Sequence, residues 1–158
     1  MKFFEDIAIG ERVELGHWHV TAEATVAFAR RYDPQGFHLE ETEAAKTHFG
    51  RLSASGWQTA AMWMKHMIAH RDRVQAEMRA RGEPVADMGP SPGFTDMRWL
   101  KPVFPGDRIT YFTTATEARP SQSRPRWGLI RHLNEGVNQT GDLVFSFIGN
   151  VFVERRDA

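Results

Sequence analysis

Residues 57 to 81 read WQTAAMWMKHMIAHRDRVQAEMRAR, and this stretch does most to decide the fold. Its first half is apolar on nearly every side, so a helix formed there is expected to be buried rather than half-solvated. Its second half is polar, with only Val74 and Met78 as apolar points, and is expected to project beyond the core. Gly82 and Pro84 end the helix, because glycine closes a helix and proline cannot continue one. The stretch therefore predicts one long helix, largely buried.

The chain after this helix changes to the period of β-strands. Residues 83–93 are interrupted by proline and glycine and are expected to form a loop. Beyond them, alternating apolar residues bounded by turn residues predict four strands, at Phe94–Leu100, Arg108–Ala118, Trp127–Val137 and Leu143–Val153. The last strand carries apolar side chains on both faces, so we expect both faces to be partly buried.

The chain before the helix predicts one further strand and two short helices. Val13–Val20 alternates loosely and predicts the strand. Thr21 can cap an amphipathic helix over residues 22–32, and Glu40–His48, acidic first and basic last, predicts a second short helix. A buried helix with antiparallel strands makes an α+β fold, in which a curved apolar sheet wraps the helix. Residues 1–158 are expected to form a single domain of this kind.

Residues 33–38, DPQGFH, place a carboxylate and an imidazole on either side of a Pro/Gly turn. Proline and glycine disfavour a continuous helix, so the chain bends there and can bring Asp33 and His38 side by side. Two titratable groups of different type at one bend form a minimal acid/base pair. By spacing alone, Asp33 can equally begin a turn and His38 can simply pack, so both interpretations stay open.

The composition excludes several classes of function. The 158 residues carry 20 acidic and 20 basic side chains, which is not the charge balance of a nucleic-acid-binding or membrane-binding protein. The absence of cysteine removes disulfides, thiolate catalysis and Cys-based metal sites, and fits a reducing compartment. The acidic N-terminus and the lack of about 18 consecutive apolar residues argue against secretion and against a membrane span. We therefore expect a soluble, cytoplasmic protein.

Three blocks of sequence, residues 28–38, 49–57 and 98–107, together resemble one protein family. In the first, FARRYDPQGFH, Asp and His are separated by four residues, as in the hydratase motif of the MaoC-like dehydratases. The second, FGRLSASGW, is similar to the loop that opens the central helix of that family, and the third, RWLKPVFPGD, to its strand–turn entry into the sheet. The family motif commonly has Asn and Pro where this sequence has Gln35 and Gly36.

The resemblance implies a hotdog fold, in which a curved antiparallel sheet wraps a long central helix. It also implies the chemistry of the family's (R)-specific enoyl-CoA hydratases, which hydrate trans-2-enoyl thioesters to 3-hydroxyacyl thioesters, or the reverse dehydration, in fatty acid metabolism. Asp33 and His38 would hold one water molecule between them; one of the two residues would act as base and the other would orient the water or act as acid. No cofactor or metal is expected. The expected partners are an acyl-CoA thioester and at least a second copy of the chain, because hotdog sheets pair edge to edge.

The thioester oxygen gains negative charge in this reaction and needs donors aimed at it. We expect backbone N–H groups near Gly56, where glycine allows close approach and a helix N-terminus carries positive potential. Ser55 and Thr59 can add hydroxyl contacts, and Gln35 can offer an amide. Gly56 can equally be only a helix-start glycine.

Other polar groups carry weaker signals. His66 and His70 are one helical turn apart, as metal ligands can be, but residue 67 is Met and not the Glu of a zinc protease motif. The segment is apolar, so histidines of the core or of an interface are favoured. His17 and His19 share a strand face and lack a third ligand. The turn Arg119–Arg126 can meet the phosphates of coenzyme A or simply be solvated.

Two other functions stay open beside the hydratase. Folds host several chemistries, so a hotdog acyl-CoA thioesterase is one alternative. A non-catalytic acyl-thioester-binding protein is the other, because Gln35 and Gly36 depart from the family motif.

Overall fold

A computed structural model describes residues 2–156 of the chain. After a 3₁₀ turn at Phe4–Asp6, its elements in chain order are β1 (Arg12–His19), α1 (Ala22–Tyr32), α2 (Gly36–Leu39), α3 (Glu41–Ala44), α4 (Gly56–Ala80), β2 (Gly93–Trp99), β3 (Arg108–Pro120), β4 (Trp127–Val137) and β5 (Leu143–Glu154). The predicted bounds of α1, the long helix and the strands agree with these to within two residues. The α+β class is confirmed.

One antiparallel sheet with the strand order β1-β3-β4-β5-β2 makes up the β layer. Each of the four strand pairs contains a register shift, for example between Glu14 and Gly16 in β1. Such bulges bend and twist a strand locally, which lets the sheet curve around α4. The arrangement is the predicted hotdog fold, a curved sheet around a long helix.

The core lies between the concave face of the sheet and one side of α4. Trp63 of α4 meets Phe147 of β5 edge to face, with ring centroids 4.6 Å apart. The buried hydroxyl of Tyr111 donates to the carbonyl oxygen of Thr59 at 2.9 Å, which ties β3 to the first turns of α4. Burying each large apolar side chain contributes roughly 1.5–3 kcal/mol, so this layer holds the helix firmly on the sheet.

The predicted short helix over Glu40–His48 exists but is shorter than expected. Within this segment the structure has the four-residue helix α3, and Glu40, which separates α3 from α2, is extended (φ −140°, ψ 132°). Gly36, expected inside a bend, begins α2. The charge pattern of residues 40–48 favours a helix, but the backbone N–H and the hydroxyl of Thr47 both donate to the Ala44 carbonyl oxygen, so the chain turns there instead of continuing the helix.

The expectation that the first half of α4 is buried on every side is also wrong for the single chain. Trp57, Met64 and Ile68 are 56%, 51% and 37% exposed, and their spacing places them on one side of the helix. The physical reason is that a curved sheet covers only one side of a helix. We call Trp57, Ala61, Met64 and Ile68 the outer stripe of α4.

The second half of α4 does not simply project beyond the core. Met78 is buried, and Met67 and Val74 line a cavity beneath this half of the helix. The helix ends as predicted, because Gly82 takes a left-handed conformation (φ +70°) that closes the last turn. Among residues 2–156, no helix has both the length and the apolar character that crossing a membrane requires.

Candidate active site

The predicted bend brings a carboxylate and an imidazole together at the start of α4. Helix α1 ends at Tyr32, because Pro34 cannot continue it, and Asp33 leaves the helical conformation (φ −151°, ψ 68°). Helix α2 then turns His38 back, so that His38 Nε2 lies 3.5 Å from Asp33 Oδ2. His38 is buried. The structure therefore places the two predicted catalytic residues side by side.

Asp33 is held by two donors, one on each carboxylate oxygen. The Gln35 side-chain amide donates to Oδ1 at 2.7 Å, and the Ser55 hydroxyl donates to Oδ2 at 2.6 Å. Partial burial alone would raise the pKa of Asp33, but these hydrogen bonds and the nearby His38 outweigh it and lower the pKa below its ordinary value. Asp33 is therefore an ionised carboxylate with a fixed direction.

The tautomer of His38 follows from its hydrogen bond. Nδ1 lies 2.7 Å from the carbonyl oxygen of Ser53, and a carbonyl can only accept, so Nδ1 carries the hydrogen. In the neutral ring, Nε2 is then an unprotonated acceptor, and it faces Asp33. The pair thus offers two hydrogen-bond acceptors pointing at one place.

A cavity of about 460 Å³ opens beside this pair. Its walls are largely apolar and aromatic, and Asp33, Gln35 and His38 contribute the polar side. Apolar walls with a few convergent polar groups are typical of a small-molecule site. The remaining lining residues come from the loop before α4, from the first turns of α4, and from the end of β2 with the segment after it, namely His48, Phe49, Ala54, Gly56, Trp57, Thr59, Trp99, Leu100, Lys101, Pro102 and Val103.

The first residue of α4 sits directly against an indole ring. A Cβ on Gly56 would stand 2.7 Å from ring atoms of Trp99, so only glycine fits there without displacing the ring. The Trp99 indole N–H donates to the Gly56 carbonyl oxygen at 2.8 Å. Within residues 2–156, the Gly56 N–H has no acceptor. A free backbone donor therefore borders the cavity at a helix N-terminus.

The other predicted site residues divide into two groups. Gln35 and Thr59 line the cavity together with Gly56, although the Gln35 amide is engaged by Asp33 and Thr59 is almost fully buried. Ser55 does not line the cavity. Its hydroxyl bonds to Asp33 behind the cavity wall, which differs from the expected contact with a substrate.

Sequence reasoning missed the part that Trp99, His48 and Lys101 play in this cavity. Trp99 and Lys101 belong to a block that the sequence did single out, but nothing local indicates that they approach residue 56. The pairing of β2 with β5 brings the end of β2 to the start of α4. Lys101 is paired with Asp142 at 2.7 Å.

The remaining histidine and arginine candidates lie elsewhere. His66 packs behind Gly16, where a Cβ would meet its ring at 3.0 Å, and burial lowers the pKa of His66. In the described part of the chain, no group of three or more His, Cys, Asp or Glu side chains is arranged to hold a metal ion. No residue of the turn 119–126 lines the active-site cavity, and Arg126 pairs with Asp87 and Glu154 at 2.8 Å each.

A second cavity, of about 280 Å³, lies beneath the distal half of α4. His70 and His132 line it beside apolar residues such as Met67 and Val74. Burial lowers the pKa of His132 to about 4, and neither ring nitrogen of His132 has a hydrogen-bond partner within residues 2–156. The two cavities share no lining residue.

Known proteins with this fold match the chain over its whole length. The crystal structure of a MaoC-like dehydratase from Rhodospirillum rubrum is 31% identical, with 100% of both chains covered and a TM-score of 0.79. The structure of a monoamine oxidase regulatory protein from Archaeoglobus is 27% identical, covers 98% of this chain and 95% of that one, and has a TM-score of 0.80. Mesaconyl-CoA hydratase from Cereibacter sphaeroides is 26% identical over 156 residues.

These matches differ in how much of the relative they cover. The chain spans 42% of the length of the mesaconyl-CoA hydratase, whereas it covers the whole Rhodospirillum chain. No family model matches the sequence. Identity above 30% along the full length of both chains, with the same fold, nevertheless assigns the protein: the chain belongs to the MaoC-like dehydratase family.

Proposed function

We propose that the protein is a hydro-lyase that adds water to trans-2-enoyl thioesters to give 3-hydroxyacyl thioesters, or catalyses the reverse dehydration. The observation that carries this proposal is the pair Asp33 Oδ2 and His38 Nε2, 3.5 Å apart beside a cavity of about 460 Å³. Membership of a dehydratase family and the likeness to a hydratase support it. The proposal includes a single domain over residues 1–158, and it keeps the expectations of a cytoplasmic location and a role in fatty acid metabolism.

One water molecule can donate a hydrogen to each of the two acceptors. With its hydrogens directed at Asp33 and His38, its oxygen lone pair is free to attack the β-carbon of the enoyl thioester. Asp33 has a lowered pKa and is therefore a poor proton acceptor, so it orients the water. His38 Nε2 takes the proton as the carbon–oxygen bond forms.

The same proton completes the reaction. The protonated Nε2 of His38 delivers it to the α-carbon, so that hydroxyl and hydrogen are both added and the enzyme returns to its starting state. Between these steps, the thioester oxygen carries the negative charge of an enolate. The free N–H of Gly56 at the positive end of α4 is the donor that stabilises this charge.

The thioester carrier is proposed to be coenzyme A. The support is that one of the relatives is a mesaconyl-CoA hydratase. Lys101 and His48 line the cavity and supply basic groups that phosphates favour. The turn 119–126, the other candidate for this role, has no residue in the lining of the cavity.

We also propose that the protein works as a homodimer, with the outer stripe of α4 as part of the contact. Trp57 and Met64 of this stripe are more than half exposed, and Phe94 and Trp99 on the edge strand β2 are 56% and 44% exposed. An edge strand with unpaired backbone groups beside apolar side chains is suited to a second copy.

Light scattering at micromolar concentration tests the dimer. The wild type is expected at twice the chain mass, and Met64→Glu is expected to dissociate it, because a buried unpaired carboxylate is costly. Ala69→Glu is the matched control, since Ala69 is exposed on α4 outside the outer stripe. A monomeric wild type, or equal dissociation by both variants, would count against this contact.

Loss of the conjugated-thioester absorbance tests the reaction. The purified protein is incubated with trans-2-enoyl-CoAs from short to long chain, and the absorbance is expected to fall. Asp33→Asn is expected to abolish the fall while leaving the melting temperature close to that of the wild type, because Asn is nearly the same size. Unchanged turnover in Asp33→Asn would rule out the assigned chemistry. Free CoA released from a saturated acyl-CoA would favour a thioesterase, and tight binding with no absorbance change would favour a non-catalytic binder.

A further inference from the structure

We infer that Ser55 is a positioning residue for Asp33 rather than a contact for the substrate. Its hydroxyl fixes the direction of the carboxylate that holds the water, and its backbone begins the helix that supplies the enolate donor. The inference rests on the proposed function and assigns Ser55 a part in the same site.

The contacts of the Ser55 side chain use its single hydrogen-bond donor and one of its two acceptor lone pairs. Its hydroxyl donates to Asp33 Oδ2 at 2.6 Å, a distance typical of a hydroxyl on a charged carboxylate. The same oxygen accepts the N–H of Trp57 at 3.2 Å, as the N-cap of α4. Ser55 is fully buried and does not line the cavity. A substrate therefore cannot reach this hydroxyl, and its one hydrogen is already donated.

The hydrogen bond from Ser55 to Asp33 determines where the reacting water can be held. Oδ2 is the Asp33 oxygen that faces His38 Nε2, and it is the oxygen that Ser55 holds. Gln35 holds the other oxygen, so the carboxylate cannot rotate without breaking a charge-assisted bond. Ser55 therefore fixes the acceptor that the water must share with His38.

The same residue links the two halves of the site. The peptide that follows Ser55 carries the Gly56 N–H, and the Ser55 carbonyl accepts the N–H of Gln58 at 3.0 Å. A shift at Ser55 thus moves the water-holding carboxylate and the enolate donor together. Ser55 therefore helps to fix the distance between the Asp33 carboxylate and the Gly56 N–H. Catalysis requires such fixed positions of the groups that contact the substrate.

The experiment compares Ser55→Ala with Thr21→Ala. Thr21 is the N-cap of α1 and accepts the N–H of Ala24, so its loss removes an equivalent cap without touching Asp33. Both variants are expected to lower the melting temperature by about 2–4 °C. Only Ser55→Ala is expected to lower kcat for enoyl-CoA hydration, by about 10- to 100-fold, with KM nearly unchanged. Ser55→Ala is also expected to move the acid limb of the kcat profile to higher pH, because Asp33 loses a donor that lowers its pKa.

A direct titration makes the result independent of activity. The carboxyl carbon of Asp33 is followed by NMR in protein labelled with ¹³C-aspartate, assigned by the signal missing in Asp33→Asn. Asp33 is expected to titrate at higher pH in Ser55→Ala than in the wild type or Thr21→Ala. Ser55→Gly, which keeps most of the capping preference, is the second variant if the alanine protein does not fold.

The outcomes separate this inference from the function on which it rests. An Asp33 titration that Ser55→Ala or Ser55→Gly leaves at the wild-type pH would overturn the positioning role. A wild type without hydratase activity but with the shifted titration would refute the proposed function while supporting the contact between Ser55 and Asp33.

Discussion

The two cavities along α4 both contain imidazoles, but they favour opposite charge states of their titratable groups: the charged form of Asp33 in one and the neutral form of His132 in the other. At the start of the helix, Asp33 is partly buried and still has a lowered pKa, because Ser55 and Gln35 donate to it. Beneath the distal half, His132 has no partner for its ring nitrogens, and burial alone lowers its pKa to about 4. Burial favours the neutral form in both places, and at Asp33 the two hydrogen-bond donors and the nearby His38 reverse that preference. The difference shows that the neighbours of a buried group, and not its burial alone, set its preferred charge state.

The largest expected effect compares the two histidines directly. His38→Gln is expected to lower kcat for enoyl-CoA hydration by about 100- to 10,000-fold, because an amide cannot take a proton from the water. His132→Gln is the matched control and is expected to change kcat by less than about twofold, since His132 lines the other cavity. Steady-state kinetics with the same enoyl-CoA measures both. An equal loss of kcat in His38→Gln and His132→Gln would contradict the assignment of the catalytic site to the cavity beside His38.

The second prediction concerns stability in mild acid. A histidine whose pKa is lowered on folding binds fewer protons in the folded state than in the unfolded state, so stability falls as pH decreases. For His132 the loss begins near its unfolded pKa of about 6.5, is nearly complete just below pH 4, and amounts to about 3 kcal/mol. The lowered pKa values of His66 and His70 act in the same direction.

Urea unfolding at several pH values between 4 and 7 measures this effect. His132→Gln is expected to show a shallower fall in the free energy of unfolding than the wild type, because glutamine does not titrate. The charged groups that also line this cavity, Lys2, Glu11 and Arg71, are unchanged in the variant. Parallel curves for the two proteins would show that His132 is not the source of the acid sensitivity.

The smallest expected effect is at the active-site end of the helix. Gly56→Ala adds a methyl 2.7 Å from the Trp99 ring, so the indole must move and its bond to the Gly56 carbonyl is weakened. The clash costs roughly 1–3 kcal/mol, and the better helix propensity of alanine offsets up to about 1 kcal/mol of it. Thermal unfolding of Gly56→Ala, Trp99→Leu and the double variant measures the coupling. The double variant is expected to be more stable than the sum of the single losses, and strict additivity would contradict the contact.

Much of the architecture could be predicted because it depends on local pattern. The alternation in Trp127–Val137 predicted that strand to the residue, and the Thr21 cap with the spacing of residues 22–32 predicted α1. The prediction for residues 40–48 was too long because its first residue, Glu40, is extended and the helix that follows ends at Ala44, and the charge pattern carries no sign of either. The outer stripe of α4 was predicted to be buried because apolar composition does not reveal on which side the sheet lies.

The candidate site divides in the same way. Asp33 and His38 are separated by a short bend, so their approach could be expected from the sequence. The contact of Ser55 with Asp33 spans 22 residues, and that of Trp99 with Gly56 spans 43. Such contacts depend on how α4 packs and how β2 pairs with β5, which short-range spacing does not determine.

The sequence by itself determined the elements, the family resemblance and the acid/base pair, because backbone propensity, turn chemistry and short loops act over a few residues. Only the tertiary structure decided the hydrogen-bond partners and the direction of that pair. The His38 tautomer depends on the Ser53 carbonyl, and the direction and the lowered pKa of Asp33 depend on the Ser55 hydroxyl and the Gln35 amide. The two serines come from another part of the chain. They matter because the pKa of a partly buried group depends on the groups that the fold brings within hydrogen-bond distance of it.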